Sequence, residues 1–199
     1  METVVSVADF FAASNDPGKL PAGQGPEFAF CGRSNVGKSS LMNMLLARRK
    51  LVRTSKNPGC TKQVNLFTGR LKDQFPFTFA DLPGYGYAKV SKSERAGWAR
   101  TIESYLQTRH LSGVLLLVDV RREFGQEEED FVTFFRSKRP KVPIGLIVTK
   151  TDKVALAAAK AARASLRKLT GLPTLPTSAE TGEGREEVWR WLRATAEPH

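Results

Sequence analysis

Eight consecutive residues, Gly32-Arg33-Ser34-Asn35-Val36-Gly37-Lys38-Ser39, fit G-x-x-x-x-G-K-[ST] without a mismatch. The chemistry such a run can do is to hold a polyphosphate. Gly32 and Gly37 let the backbone curl so that successive N–H groups point into one concavity, and the N–H groups from Arg33 to Ser40 line it. A helix beginning just after Gly37 adds the partial positive charge of its N-terminus to the same anion site. Lys38 then reaches the β- and γ-phosphates, and the Ser39 hydroxyl holds Mg²⁺. A Gly-rich turn without a ligand has no use for Lys and Ser at those two places.

Three later groups extend this chemistry. Asp81-Leu82-Pro83-Gly84 puts a carboxylate where it can hold Mg²⁺ through water and a Gly84 N–H where it can sense a γ-phosphate. The Asp-x-x-Gly pattern is common by chance and gains meaning only beside the phosphate loop. Thr61, in the polar loop after Gly59 and Cys60, carries a hydroxyl able to join Mg²⁺ when a triphosphate is bound. Taken alone it reads as an ordinary loop threonine.

Thr149-Lys150-Thr151-Asp152 separates guanine from adenine. A carboxylate at Asp152 accepts from N1–H and N2–H₂ of guanine, whereas adenine offers an unprotonated N1 and no exocyclic donor there. A charged acceptor left unpaired discriminates by ~10⁴-fold or more. The Lys150 stem can lie along the flat of the base. Thr177, Ser178 and Ala179 follow the last short strand and close the site with backbone N–H groups toward the guanine oxygen.

These groups need a scaffold that brings them to one edge. Glu27–Cys31 reads as a buried strand before the phosphate loop, and Ser40–Leu46 as a helix after it. Val64–Leu71 and Phe75–Ala80 read as a hairpin turning at Lys72-Asp73-Gln74, and Leu51–Gln63 as a polar loop. Continuous apolar runs at Gly113–Asp119 and Pro143–Val148 predict buried strands. Helical periodicity covers 91–109, 126–138, 155–169 and 183–194. The acidic run Glu127 to Asp130 complements a helix dipole and needs no functional reading. The expected fold is three-layer α/β: a mostly parallel six-stranded sheet with helices on both faces and the ligand at the carboxyl ends of the strands. Residues 1–25 carry a short helical pattern over Val7–Ala13, then Pro17, Gly18, Pro21, Gly23 and Gly25. They are expected to be a lead-in packed on a domain running from 26 to 199.

Composition fits one soluble domain: 199 residues, 41% apolar and 26% charged, with no apolar run near the ~20 residues of a membrane span. The first residues lack the basic start and apolar core of a signal peptide. Cys31 and Cys60 make no disulfide framework, which points to a reducing cytoplasm, and His110 and His199 are too few for a histidine-based metal site. The net charge of +11 draws the protein to polyanions, of which nucleic acid is the abundant one in a cell. Arg48, Arg49, Lys50, Arg53 and Lys56 crowd one stretch, and Lys160, Arg163, Arg167 and Lys168 recur at helical spacing.

The combination resembles the Ras-like TRAFAC GTPases, and more narrowly the EngB-type family of bacterial ribosome-associated GTPases. The narrower resemblance rests on the phosphate loop through Ser40, on Asn57-Pro58-Gly59-Cys60-Thr61-Lys62-Gln63, on Asp81 to Ala88 and on Thr149 to Lys153, and it covers nearly the whole chain. It implies a Ras-like G domain that hydrolyses GTP to GDP and phosphate, with Gly59, Cys60, Thr61, Lys62 and Gln63 joining the nucleotide site. Lys38, Thr61 and Gly84 are then the catalytic set, and Ser39, Thr61 and Asp81 the Mg²⁺ set. The resemblance further implies a nucleotide switch, in the cytoplasm, in maturation of the large ribosomal subunit and its rRNA, with a link to division septum formation. A monomer without membrane attachment is expected.

Two departures matter. Thr149 stands where most GTPases have Asn; Thr there looks like the narrower family's own pattern, and it leaves open how that side anchors the phosphate loop. Tyr85 follows Gly84 where a water-orienting Gln would stand, so intrinsic turnover should be slow and need a partner or a cation. Asn35 either helps hold K⁺ against the phosphates, as in related GTPases, or caps its turn. The competing classes fit less well. A small-molecule phosphotransferase needs a lid and an acceptor pocket, a tRNA-modifying GTPase an extra domain, and a metal-ion transporter membrane spans.

Overall fold

A computed structural model describes residues 3–52, 63–85 and 92–196, with only the backbone path for 92–96. Within them seven strands form one sheet: β1 (Val5–Ser14), β2 (Glu27–Gly32), β3 (Val64–Leu71), β4 (Pro76–Asp81), β5 (Gly113–Asp119), β6 (Ile144–Thr149) and β7 (Thr174–Pro176). The spatial order is β1-β3-β4-β2-β5-β6-β7. β4, β2, β5, β6 and β7 run parallel, and β3 is antiparallel to both its neighbours. The helices are α1 (Lys38–Leu45), α2 (Lys92–Thr108), α3 (Gln126–Lys138), α4 (Leu156–Thr170) and α5 (Arg185–Ala196).

β2, β5 and β6 are buried at every residue, as apolar runs covered on both faces must be. One face packs α2, α3 and α4 through Ile102, Tyr105, Phe131, Phe135 and Leu166. The other packs α1 and α5 through Leu41, Met42, Leu45, Val188, Trp189 and Leu192. Trp189 anchors the second face: its ring stacks on Phe79 at 5.5 Å and its Nε1–H donates to the Leu45 carbonyl at 3.2 Å. No helix among the described residues is long and apolar enough to cross a membrane.

The helix expected over Val7–Ala13 is a strand, which raises the strand count from the expected six to seven. β1 pairs along β3 from Val5↔Leu71 to Ser14↔Val64, with register shifts between Val5 and Val7 and between Phe10 and Ala12. Two irregularities in ten residues destroy the alternation by which a strand is recognised. Burial recurs at Val5 and Ala8, three apart, which imitates a helix. Cross-strand contact such as Phe10 against Phe67, ring centroids 5.8 Å apart, overrides that local pattern.

A buried ion pair fixes the start of β2. Glu27 takes the Arg109 guanidinium at 2.5 and 3.0 Å and the Tyr105 hydroxyl at 2.7 Å. Arg109 also donates to the carbonyls of Leu20 and Pro21, at 3.3 and 2.8 Å, so the same side chain ties residues 20–21 to the end of α2.

Candidate functional site

Parallel strands bring their carboxyl ends to one edge, and the motif residues follow those ends. β2 leaves through Gly32, whose φ of +157° and surroundings exclude a side chain: a Cβ there would stand 2.9 Å from the Leu117 carbonyl oxygen. Gly37 precedes α1 with φ +105° in the left-handed region, and no side chain caps the first turn of the helix. The N–H groups of Lys38, Ser39 and Ser40 are therefore left for an anion. Ser39 is half-buried and Ser40 exposed.

The Lys38 ammonium is held by the Asp81 carboxylate, at the end of β4, and donates to the Leu82 carbonyl at 2.7 Å. Burial pushes its pKa down to about 8. Asp81 thus has a cation beside it already. Pro83 follows, its carbonyl accepting from Trp98 Nε1–H at 2.8 Å.

Gly84 lies against the phosphate loop, where a Cβ would meet Gly32 O at 3.3 Å and Ser34 N at 3.4 Å. Tyr85 fastens it by two backbone bonds, its N–H to Gly32 O at 3.3 Å and its carbonyl accepting from Ser34 N–H at 3.0 Å. The Tyr85 ring turns into the core. It is buried, stacked on Phe131 at 5.9 Å, with its hydroxyl donating to Glu128 at 3.4 Å. Burial pushes that hydroxyl far above its ordinary pKa, so it stays a donor.

The acidic run at the start of α3 therefore does more than complement a dipole. Glu127 pairs with Arg33 of the phosphate loop at 3.0 Å, and Glu128 takes both Tyr85 and the Gly125 N–H.

At the end of β6, the Thr149 hydroxyl lies 2.6 Å from the Val36 carbonyl and 3.2 Å from that of Val118. Lys150, with a left-handed backbone at φ +60°, donates to the Asn35 carbonyl at 2.7 Å. Thr149 and Lys150 thus both bond the outside of the phosphate loop, which answers how a threonine anchors it. Thr151 is turned inward, N–H to Thr177 O at 3.2 Å and hydroxyl to Glu183 at 2.8 Å. One Asp152 oxygen accepts from the Ser178 hydroxyl at 2.6 Å, and the other pairs with Lys153 at 2.7 Å. Lys153 first, then Ser178, hold this carboxyl below its ordinary pKa.

The expectation for residues 177–179 needs correction. The Thr177 N–H bonds Val148 O at 2.7 Å and the Ser178 N–H bonds Glu183 O at 3.1 Å, completing the strand and turn. Of these three N–H groups, that of Ala179, in the exposed turn beyond, is the one for which the structure gives no backbone partner. Gly59, Cys60, Thr61 and Lys62, with Arg53 and Lys56, lie outside the described residues; Gln63 is exposed just before β3.

Sequence reasoning missed Asp119. It ends β5 opposite Thr149 in register, is buried, and takes Arg121 at 2.9 and 2.7 Å and Lys150 at 3.0 Å. Burial works against its ionisation, but Arg121 and Lys150 overcome this and hold the carboxyl well below the usual range. A lone carboxylate closing an apolar strand was the available signal. A cleft of about 450 Å³ opens here, lined by Arg33, Ser34, Asn35, Asp119, Arg121 and Lys150 among others.

Comparison with known proteins agrees with this geometry. Residues 27–150 match the family described as 50S ribosome-binding GTPase. The probable GTP-binding protein EngB of Desulfatibacillum aliphaticivorans is 42% identical over 190 residues, 94% of this chain and 90% of that protein. The corresponding protein of Anoxybacillus flavithermus is 43% identical over 180 residues, 88% and 90% of the two chains. Among solved structures, a probable GTP-binding protein EngB superposes with a TM-score of 0.65 at 23% identity, over 85% of this chain and 98% of that one. Aquifex aeolicus Era bound to GDP·AlF4⁻ superposes at 0.72 and 20% identity, over 88% and 58%. The fold is the α/β fold of Ras-like GTPases, and the chain belongs to the EngB family of GTP-binding proteins, which hydrolyse GTP.

Proposed function

We propose that this GTPase is a nucleotide switch acting in assembly of the large ribosomal subunit. The observation that carries the reading is the match of residues 27–150 to a family described as 50S ribosome-binding, within a chain of net charge +11. α4 contributes four cations and no acid. Of these, Lys160, Arg167 and Lys168 are exposed and make no ion pair among the described residues, while Arg163 pairs with Glu187. Such a face suits the phosphate backbone of rRNA.

The nucleotide is held from two ends in this reading, phosphates by residues 32–40 and guanine by Asp152 with the Lys150 stem. Gly59, Cys60, Thr61, Lys62 and Gln63 complete the contact. Phosphate oxygens replace Asp81 and Leu82 at the Lys38 ammonium, which frees Asp81 for the cation. Ser39, Thr61 and Asp81 would hold Mg²⁺, which would supply positive charge at the β/γ oxygens. The Gly84 N–H reads the γ-phosphate. The buried Tyr85 ring offers nothing to orient water, so turnover is slow, and K⁺ beside Asn35 is a candidate accelerator. Septation is linked to this role through the family resemblance. The protein works in the cytoplasm as a monomer.

The test is co-sedimentation with large-subunit precursors. Binding should be stronger with a non-hydrolysable GTP analogue than with GDP and should weaken steeply between 50 and 200 mM salt, as counterion release requires. Equal binding with both nucleotides removes the switch. For the site itself, Asp152→Asn should weaken guanine nucleotides alone, and Lys38→Ala every nucleotide. An Asp152→Asn protein that still prefers GDP over ADP contradicts the assignment.

A further inference from the structure

Asp119 belongs to none of the nucleotide motifs, yet it joins two of them. The Lys150 ammonium lies between its carboxylate at 3.0 Å and the Asn35 carbonyl of the phosphate loop at 2.7 Å. The root of the same side chain is fixed as well, by a left-handed backbone and by the Thr149 hydroxyl on Val36. Between root and tip the stem crosses the phosphate loop, its Cε 3.6 Å from where a Gly37 Cβ would stand. The Arg121 guanidinium bonds both Asp119 oxygens and shares Oδ2 with Lys150.

A lysine stem free in solvent samples many rotamers and must give them up when a base stacks on it. Here they are given up beforehand, which is preorganisation. We infer that Asp119 is a positioning residue for guanine nucleotide binding: it holds the Lys150 stem as a ready wall of the base site and keeps the Asn35 carbonyl turned out of the phosphate cradle. The inference rests on the reading of Asp152 as the guanine acceptor. It requires no contact between Asp119 and the nucleotide. Neutralising Asp119 leaves Arg121 and Lys150 as two unshielded cations on one spot, and Lys150, 30% exposed, is the one with room to swing out.

The experiment is a double-mutant cycle on Asp119 and Lys150, read as the dissociation rate of a fluorescent GDP analogue. Asp119→Asn should speed release about tenfold, the scale of one lost charge-assisted bond. Lys150→Met, which keeps most of the stem and removes the ammonium, should speed it as much or more. The double variant should be no faster than Lys150→Met alone, a result that general loosening of the fold would not give. The preference for GDP over IDP, which depends on the guanine N2–H₂ at Asp152, should not change. Losses that simply add, or wild-type release from Asp119→Asn, overturn the proposal. If Asp119→Asn does not fold, Arg121→Gln takes its place, since Arg121 is half exposed and touches Asp119 directly. It should speed release only while Lys150 is present, and wild-type release would equally overturn the proposal. These readouts use nucleotide alone, so they stand or fall separately from ribosome binding.

Discussion

The Thr149 hydroxyl donates to the Val36 carbonyl at 2.6 Å, joining the end of β6 to the phosphate loop across 113 residues of sequence. A trans peptide carries its C=O and the next N–H on opposite sides, so turning the Val36 carbonyl outward turns the Gly37 N–H inward, toward an anion. The anchoring that most GTPases assign to an asparagine falls here to a hydroxyl.

Thr149→Val keeps the shape and removes that donor. A buried carbonyl left without a partner costs about 1–3 kcal/mol, so GDP affinity should drop roughly tenfold to a hundredfold, while Thr149→Ser should bind nearly as the parent does. Calorimetric titration checks both, and equal affinity for the valine and serine variants would show that the bond is idle.

Burial lowers the Lys38 pKa from 10.5 to about 8. Phosphates favour the ammonium, so the bound lysine titrates higher than the free one and binding takes up a proton above that pH. GDP affinity should thus be full below about pH 8 and decline as pH rises through it, by at most about tenfold per unit. Lys38→Arg stays charged over this range and isolates the contribution of guanine, whose own N1–H also titrates there. Identical pH profiles for the two proteins would remove Lys38 as the cause.

Tyr85 occupies the place of a water-orienting glutamine but is a core residue, packed on Phe131 and bonded to Glu128. Tyr85→Gln should therefore fail to accelerate single-turnover GTP hydrolysis. It should lower stability by about 2–4 kcal/mol, the usual loss for a large buried side chain. A faster hydrolysis rate would mean that the segment turns its side chain toward the phosphates when GTP binds.

Removing one member of the Glu27–Arg109 pair leaves an uncompensated buried charge. Arg109→Ala should cost about 3–5 kcal/mol in denaturant unfolding, more than Glu27→Leu combined with Arg109→Met, because the double change removes both charges. A double variant less stable than the single one would show that specific hydrogen bonds, including the Tyr105 hydroxyl, outweigh the charge term.

How much of this was legible in the sequence depended on whether a residue's partner lay nearby. The phosphate loop, the apolar strands at 113–119 and 144–149 and the hairpin at 64–81 are local patterns, and they folded as read. The strand at 5–14 was misread because its two register shifts hide the alternation that pairing with β3 imposes. Asp119, Glu127 and Glu128 looked like strand-end and helix-cap residues, since Lys150, Arg33 and Tyr85 come to them only through the tertiary fold. The N–H groups of Thr177 and Ser178 were misassigned for the same reason, their acceptors being fixed by the β6–β7 pairing and the turn to Glu183.

The late-recognised strand has a practical bearing. β1 is the outermost member of the sheet and the cover for β3, which it pairs over almost its full length. A shortened chain beginning at residue 26 would bare the whole backbone rim of β3, Val64 to Leu71, with Phe67 stripped of its neighbouring ring. Unsheathed rims of that kind recruit other chains, so such a fragment should self-associate even with every nucleotide-binding residue intact.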